Sequence, residues 1–345
     1  MLKKVAVIIP AYNAEKYIEK NLNSILGQTY RNISVFIVND GSSDATAQII
    51  SSMVEKDGRL TLITVPNGGP AKARNVGLQA AQGKADYILF SDADDELLPD
   101  SIERSVAAAE ASCADLVLSG FTIMNRDGTG DNYCEPSAVY SPENFGDSFA
   151  DLYKANLLNQ VWAKLFSAGL IYSNNITFPD YRWGEDRLFV FDCIEKAGII
   201  AVDNYCGYRY IMHPGESLIT GFYDKKATVC ALADIRAAQL CEKYGIEDDG
   251  YFRYMFAKSI FSCMTNLFSK NCHLSRNEKI DYVNYIIQND YIIDRCSGAS
   301  GGLPIKIVVK IMSTKSSALN MMAAHGAAFV GNALPGLFQK IKHKK

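Results

Sequence analysis

Tyr87-Ile88-Leu89-Phe90-Ser91-Asp92-Ala93-Asp94-Asp95-Glu96 joins a short apolar run to a cluster of acids. The apolar part reads as a buried strand, and the acids as what that strand delivers at its C-terminal end. Two carboxylates one residue apart at a strand end are oxygen ligands for a hard divalent cation. Magnesium-like ions take one or two protein carboxylates and leave the other positions to water and substrate phosphates. Alone, Asp-x-Asp also reads as a solvated acidic loop, so its weight comes from the sequence around it.

Upstream, Val5-Ala6-Val7-Ile8-Ile9 is a continuous apolar run closed by Pro10, as a buried parallel strand requires. Glu15 to Leu26 puts Tyr17, Ile18, Leu22, Ile25 and Leu26 on one face, predicting a helix capped by Asn13. Ser34 to Val38 and Leu60 to Val65 predict two more strands, with helices over Asp44 to Val54 and Lys72 to Ala81. Strands alternating with helices imply right-handed crossovers and a mostly parallel sheet. Ligands of such sheets bind beyond the carboxyl ends of the strands. That rule places Pro10-Ala11-Tyr12-Asn13, Asn39-Asp40-Gly41-Ser42-Ser43-Asp44 and Asp92-Ala93-Asp94 along one rim.

Downstream, Leu116 to Met124 predicts another strand, and the polar stretch 125–147 a loop or lid. Trp162, Lys164, Phe178-Pro179, Trp183-Gly184-Glu185-Asp186-Arg187 and Tyr208-Arg209-Tyr210 mark a second half. From about Ala227 the pattern is helical and apolar, with no motif that reads as chemistry.

The chain has 345 residues, 48% apolar and 21% charged, which is a globular composition. A formal net charge of −3 supplies no global basic field of the kind that attracts nucleic acid, so none is expected as a partner. Nine cysteines, Cys113, Cys193 and Cys263 among them, lack metal-ligand spacing and read as reduced, core-filling thiols of a cytoplasmic protein. The start, Met1-Leu2-Lys3-Lys4, runs straight into a strand, so no secretion signal is expected. From Ser316 to Gln339 no Asp, Glu, Lys or Arg occurs, and the chain ends Lys340-Ile341-Lys342-His343-Lys344-Lys345. Asn320, His325, Gly326, Gly331, Asn332, Pro335 and Gly336 argue against a spanning helix. Two readings stand: an interfacial segment with a cationic end, peripheral on the inner face of the cell membrane, or a terminal helix with a solvated basic tail.

Taken together, these motifs resemble the family 2 glycosyltransferases. The resemblance is carried by Val7-Ile8-Ile9-Pro10-Ala11-Tyr12-Asn13, Val38-Asn39-Asp40-Gly41-Ser42-Ser43-Asp44-Ala45-Thr46 and Asn67-Gly68-Gly69-Pro70-Ala71-Lys72-Ala73-Arg74-Asn75-Val76-Gly77. Asp92-Ala93-Asp94 and Gly184-Glu185-Asp186-Arg187-Leu188-Phe189 continue it, in matching order, over roughly residues 4–220. It implies an α/β fold of the A type (GT-A): a Rossmann-like, mostly parallel nucleotide-sugar-binding sheet flanked by helices, with a C-terminal helical extension. The expected division is a glycosyltransferase domain over 1–225, with a donor half over 1–124 and an acceptor and catalytic half over 150–225. A helical region over 226–345 follows.

The resemblance also implies roles. Pro10, Ala11 and the Tyr12 ring line the base, and Gly69 and Ala93 lie in the donor site. Asp40, just past a strand, can accept from the imide N–H of uracil, and Gly41 lets backbone approach the nucleotide. Ser42 or Asp44 serves as a helix cap at the same time. Arg74, at a helix start, suits an anionic nucleotide. Asp94 becomes the primary ligand of Mn2+ or Mg2+, with Asp92 facing ribose or metal-bound water and Asp95 behind them or capping the helix near Pro99. Asp186 is the general base for inverting transfer, with Glu185 as the alternative. His213 or Arg209 touches the diphosphate, and Trp162, Lys164 and Trp183 line the acceptor side, core packing being the competing reading for both tryptophans. The implied partners are a UDP-sugar donor and a glycan or lipid-linked glycan acceptor of a bacterial surface polysaccharide; a homo-oligomer is compatible with the chain.

Two other functions are compatible with an acidic strand end. A nucleotidyltransferase would need a Gly-rich basic loop after the first strand, where Ala11-Tyr12-Asn13-Ala14-Glu15 stands instead. A non-catalytic sugar-nucleotide-binding partner would not need every acidic position, yet all are present.

Overall fold

The computed structural model describes residues 2–125, 127–213, 222–248 and 250–333. They form two compact units, Met1–His213 with Glu242–Ile246, and Pro214–Cys241 with Glu247–Lys345.

The first unit is built on one ten-stranded sheet. Its parallel part is β1 (Val5–Ala11), β2 (Ile33–Asp40), β3 (Leu60–Val65) and β4 (Tyr87–Phe90). Val5 to Ile9 have no accessible surface, which is why this strand reads as an unbroken apolar run rather than an alternation. The connecting helices are α1 (Ile18–Leu26), α2 (Thr46–Val54) and α3 (Pro70–Ala81). Ile18, Leu22 and Ile25 form the buried stripe of α1. α3 sits hard against β1, because a Cβ on Gly77 would lie 2.3 Å from Ile8 Cγ2.

Beyond β4 the sheet turns mixed. The order is β3-β2-β1-β4-β9-β6-β10-β5, where β5 is Glu96–Leu97, β6 Leu116–Met124, β9 Lys164–Ser167 and β10 Ile200–Ile211. β9 runs antiparallel between β4 and β6, while β6 and β10 pair in parallel. The expectation of a mostly parallel sheet therefore holds for the first half only. The stretch expected as a loop or lid contains two short strands, β7 (Gly130–Tyr133) on β6 and β8 (Ala138–Tyr140) on β10. β7 is largely exposed, so its sequence carries no apolar alternation to announce it. Helices α4 (Ser101–Ser112), α5 (Gly146–Lys154), α6 (Ala168–Ser173) and α7 (Glu185–Lys196) complete the layer. In the segment Glu242–Ile246, Tyr244 packs edge-on against Phe145 at 5.2 Å and donates to the Ile194 carbonyl at 2.9 Å.

Asn13 does not cap a helix. It adopts a left-handed φ of 48°, α1 begins at Ile18, and the Asn13 side chain accepts from the Ser43 amide at 2.9 Å instead. Asp95 does not cap α4 either; its carboxyl is committed to β10. All nine cysteines are free thiols, and Cys113 is exposed at the end of α4 rather than packed in the core.

The second unit is helical: α8 (Lys226–Lys243), α9 (Tyr251–Thr265), α10 (Arg276–Gln288), α11 (Asp290–Ser297), α12 (Leu303–Ser313) and α13 (Ser317–Ala333). Ser275 and Glu278 form a capping box at the start of α10. Buried Asp234 is held by Arg295 at 2.7 and 3.0 Å and by the Tyr291 hydroxyl at 2.6 Å. No helix among the described residues is long and apolar enough to cross a membrane. The basic tail Lys340–Lys345 lies outside the described residues.

Candidate active site

The carboxyl ends of β1, β2 and β4 present their loops on one rim. The loops after β1 and β2 are tied together: Ala14 N donates to Thr46 Oγ1 at 2.8 Å, Asn13 N to Ser42 Oγ at 3.1 Å, and Glu15 N to Asp44 Oδ2 at 3.1 Å. Asp44 also accepts from the Thr46 amide at 3.0 Å, a local turn ahead of α2, whose N-cap position is Ala45 with no side-chain cap, so neither Ser42 nor Asp44 is the N-cap expected. Pro10 is half-buried, Ala11 is buried and the Tyr12 ring is 54% exposed. A Cβ on Gly41, which has a φ of 69°, would meet the Asn67 amide nitrogen at 2.7 Å. Asp40 is buried, and its two oxygens accept from the Gly68 and Gly69 amides at 2.7 and 2.8 Å. Asp40 thus shapes the turn that opens α3.

The acidic loop after β4 is fastened from both sides. Asn21 of α1 donates to the Asp92 and Asp95 carbonyls at 2.9 and 2.8 Å. From β10, buried Tyr208 accepts from the Asp92 amide at 3.1 Å and donates to Asp95 Oδ2 at 2.7 Å. The Ile211 amide reaches Asp95 Oδ1 at 2.8 Å. Burial, with Asp92 and Asp94 alongside, holds the Asp95 carboxyl well above the usual carboxylate range. Asp95 is therefore a buried anchor, while Ala93 packs inward and Asp92 and Asp94 stay in partial contact with solvent. Tyr208→Phe removes a partner from the Asp92 amide and another from Asp95. We expect it to lower stability by about 1–3 kcal/mol, read as a drop in the urea midpoint; an unchanged midpoint would contradict this anchoring.

At the centre stands Arg74, 4% exposed. Its Nη2 donates to Asp92 Oδ1 at 2.8 Å, and its Nη1 to Glu185 Oε1 at 2.9 Å and Asp186 Oδ1 at 2.7 Å. Burial opposes the charge on Arg74, but the attraction of Asp186, Asp92 and Glu185 outweighs it and keeps the guanidinium above its ordinary pKa. Glu185 and Asp186 open α7, behind Gly184 in a left-handed conformation. The Glu185 side chain is 6% exposed and that of Asp186 19%. Burial pushes the Asp186 carboxyl up to about 8; Arg74 opposes the rise, and Glu185 and Asp92 add to it. Lys164, on β9, is buried and pushed down to about 7, with Asp186 opposing.

His213 stacks on Tyr17 at 4.1 Å between centroids, and its Nε2 faces Asp94 Oδ2 at 3.7 Å. That nitrogen is buried and makes no hydrogen bond. An unpartnered imidazole nitrogen beside a half-exposed carboxylate, with Asp92 two residues away, fits a divalent cation in its donor chemistry. Among the described residues no cluster of three or more His, Cys, Asp or Glu is assembled for a metal, so water and substrate oxygens would have to complete the coordination.

The fold thus gathers Arg74, Asp92, Glu185 and Asp186 into one cluster and sets His213 beside Asp94. Trp162 is not on an open surface: it stacks on Tyr208 and Tyr210 at 4.7 and 5.5 Å, and with Lys164 it belongs to the core. Trp183 is half-buried and Arg209 exposed. Asn21, the stacking of Tyr17 on His213 and the anchoring role of Tyr208 were absent from the sequence reading. The Tyr208-Arg209-Tyr210 strand was the one visible signal for any of them.

Residues 6–159 match the family described as "Glycosyl transferase family 2". The uncharacterized glycosyltransferase EpsJ of Bacillus subtilis is 31% identical over 219 residues, 62% of this chain and 62% of EpsJ. The match therefore leaves more than a third of that relative's length uncovered. The crystal structure of S. aureus TarS 1-349 in complex with UDP-GlcNAc superposes with a TM-score of 0.65 at 21% identity, covering 94% of this chain and 91% of that one. The mannosyltransferase PcManGT from Pyrobaculum calidifontis, in complex with GDP-Man and Mn2+, does so with a TM-score of 0.53 at 15% identity, covering 95% and 88%. At these identities the two solved structures establish the architecture, the A-type nucleotide-sugar fold with a helical C-terminal region. With that fold and the family match, the region over residues 6–159 belongs to the family 2 glycosyltransferases.

Proposed function

We propose that this chain is a metal-dependent inverting glycosyltransferase that moves a sugar from a UDP-linked donor to a glycan or lipid-linked glycan in the synthesis of a bacterial surface polysaccharide. The observation that carries the reading is the Arg74 cluster. One buried cation draws the strand-end carboxylate Asp92 against the helix-start carboxylates Glu185 and Asp186. Carboxylates suited to the departing nucleotide and to the incoming hydroxyl therefore converge.

On the donor side, Pro10, Ala11, Tyr12, Gly69 and Ala93 border the nucleotide. The uracil imide N–H donates to Asp40, whose oxygens each keep a lone pair after accepting from an amide. A divalent cation held by Asp94, with Asp92 and His213 beside it, supplies neutralisation of the charge that develops on the diphosphate. Support for such a ligand comes from the two solved structures above, which hold a nucleotide-sugar. Arg74 enters as a positioning residue rather than a phosphate ligand, since both its Nη groups are engaged by carboxylates.

On the acceptor side, Asp186 takes the proton of the attacking hydroxyl as its oxygen closes on the anomeric carbon opposite the diphosphate. Glu185, the more enclosed acid, orients Arg74. A base whose pKa is raised to about 8 is mostly protonated at pH 6 and becomes competent as pH rises. The rate of transfer should therefore climb between pH 6 and about 8 and level off above it. A profile flat across that range would remove Asp186 as the base. The reading as a whole is tested by UDP release from a panel of UDP-sugars with Mn2+ and a mixed glycan acceptor. We expect release with at least one sugar, abolished by EDTA, and a product of inverted anomeric configuration; release from none would count against it.

A further inference from the structure

We propose that the exposed faces of α12 and α13 form a docking surface for anionic phospholipid. Each helix carries an outward apolar stripe at helical spacing. On α12 it is Leu303 and Ile307, 71% and 49% exposed, continued by Lys310; on α13 it is Leu319, Met322 and Phe329, at 48%, 71% and 65%. The opposite faces are spent on packing, with Ile305, Met312, Asn320 and Ala324 buried. The two helices pack on one another, so the stripes lie on neighbouring elements. Single exposed apolar residues are ordinary on soluble proteins, whereas five of them on the outward faces of two adjoining helices are not.

Charge selects the occupant. Residues 295–345 contain eight lysines or arginines and no Asp or Glu. The whole chain stands at −3, which leaves −11 on residues 1–294. Exposed Lys306 and Lys310 flank the α12 stripe, while Lys315 is engaged by Asp290 at 3.1 Å. Apolar side chains among lysines, with no acid on either helix and the nearby Asp290 paired to Lys315, match a helix face that settles at the headgroup boundary of an anionic bilayer. A neutral partner would have no use for this one-sided charge. The proposal adds a lipid surface to the function above and rests on it only for the purpose, bringing the site to a lipid-linked acceptor, not for the binding itself.

The test is co-sedimentation of the full chain with vesicles of phosphatidylcholine alone or in equal parts with phosphatidylglycerol, with nucleotide titration run in parallel. We expect binding only to the phosphatidylglycerol vesicles, weakened by salt. It should fall about tenfold in Lys306→Glu/Lys310→Glu and comparably in Ile307→Ser/Phe329→Ser, with nucleotide affinity unchanged in both. No preference for anionic vesicles would overturn the proposal. So would full binding in both variants with loss only when Lys340, Lys342, Lys344 and Lys345 become Gln, which would assign the contact to the tail. Self-association that the Ile307→Ser/Phe329→Ser variant abolishes, without vesicle binding, would assign the face to a second copy and also overturn it. Vesicle binding without nucleotide binding would keep this surface and sink the transferase reading instead.

Discussion

Replacing Arg74 with methionine should cost the first unit about 3–5 kcal/mol, because a buried charge cluster loses its counter-charge while keeping its carboxylates. For a unit of this size that is a fall of about 10 °C in melting temperature. Asp92 and Glu185 would then repel one another within one enclosed space, Asp186 adding to the repulsion only as it ionises at higher pH, and the loops that carry them should separate. Arg74→Lys should recover little, since a single ammonium cannot span acids that the guanidinium reaches with two nitrogens. Differential scanning calorimetry reads both variants. A melting temperature within a degree or two of the parent for Arg74→Met would mean that the cluster is not held by this cation.

Asp186→Asn should separate chemistry from binding. The amide keeps the size and one acceptor for Arg74 but cannot take a proton, so turnover should fall about 10²–10⁴-fold. Affinity for UDP should stay within about threefold, a difference under 1 kcal/mol. Asp94→Ala should do the reverse and weaken nucleotide binding first. Glu185→Gln bears on which acid is the base: equal loss of turnover in it and in Asp186→Asn, with unchanged nucleotide affinity in both, would leave the choice open, whereas loss in Glu185→Gln alone would transfer the role. The side-chain exposures, 19% for Asp186 against 6% for Glu185, favour Asp186 as the acid an acceptor can reach.

In the parallel half of the sheet β1, β2 and β4 were legible because they are buried on both faces, and burial there writes itself as Val5 to Ile9, Ser34 to Val38 and Tyr87 to Phe90. β7 escaped because an exposed strand reading Gly130-Asp131-Asn132-Tyr133 has no apolar face to display. β9 was missed as an antiparallel insert because its four residues are too few for a period and the direction of pairing is a tertiary property. Asn13 looked like a cap from its place before an amphipathic run; its positive φ and its bond to Ser43 come from the loop after β2. For the site, the acids were legible at strand and helix ends, but their common partner was not. Arg74 lies 18, 111 and 112 positions from Asp92, Glu185 and Asp186. No local pattern encodes a contact across such separations, and a helix-start arginine is read most simply as a phosphate ligand.

The most direct test of the central claim is calorimetric titration of the full chain with UDP, GDP and CDP, each with and without Mn2+. The account predicts that UDP binds, that binding requires the metal, and that Asp94→Ala abolishes it while Asp186→Asn does not. A folded protein that binds none of the three nucleotides, with or without Mn2+, would contradict it.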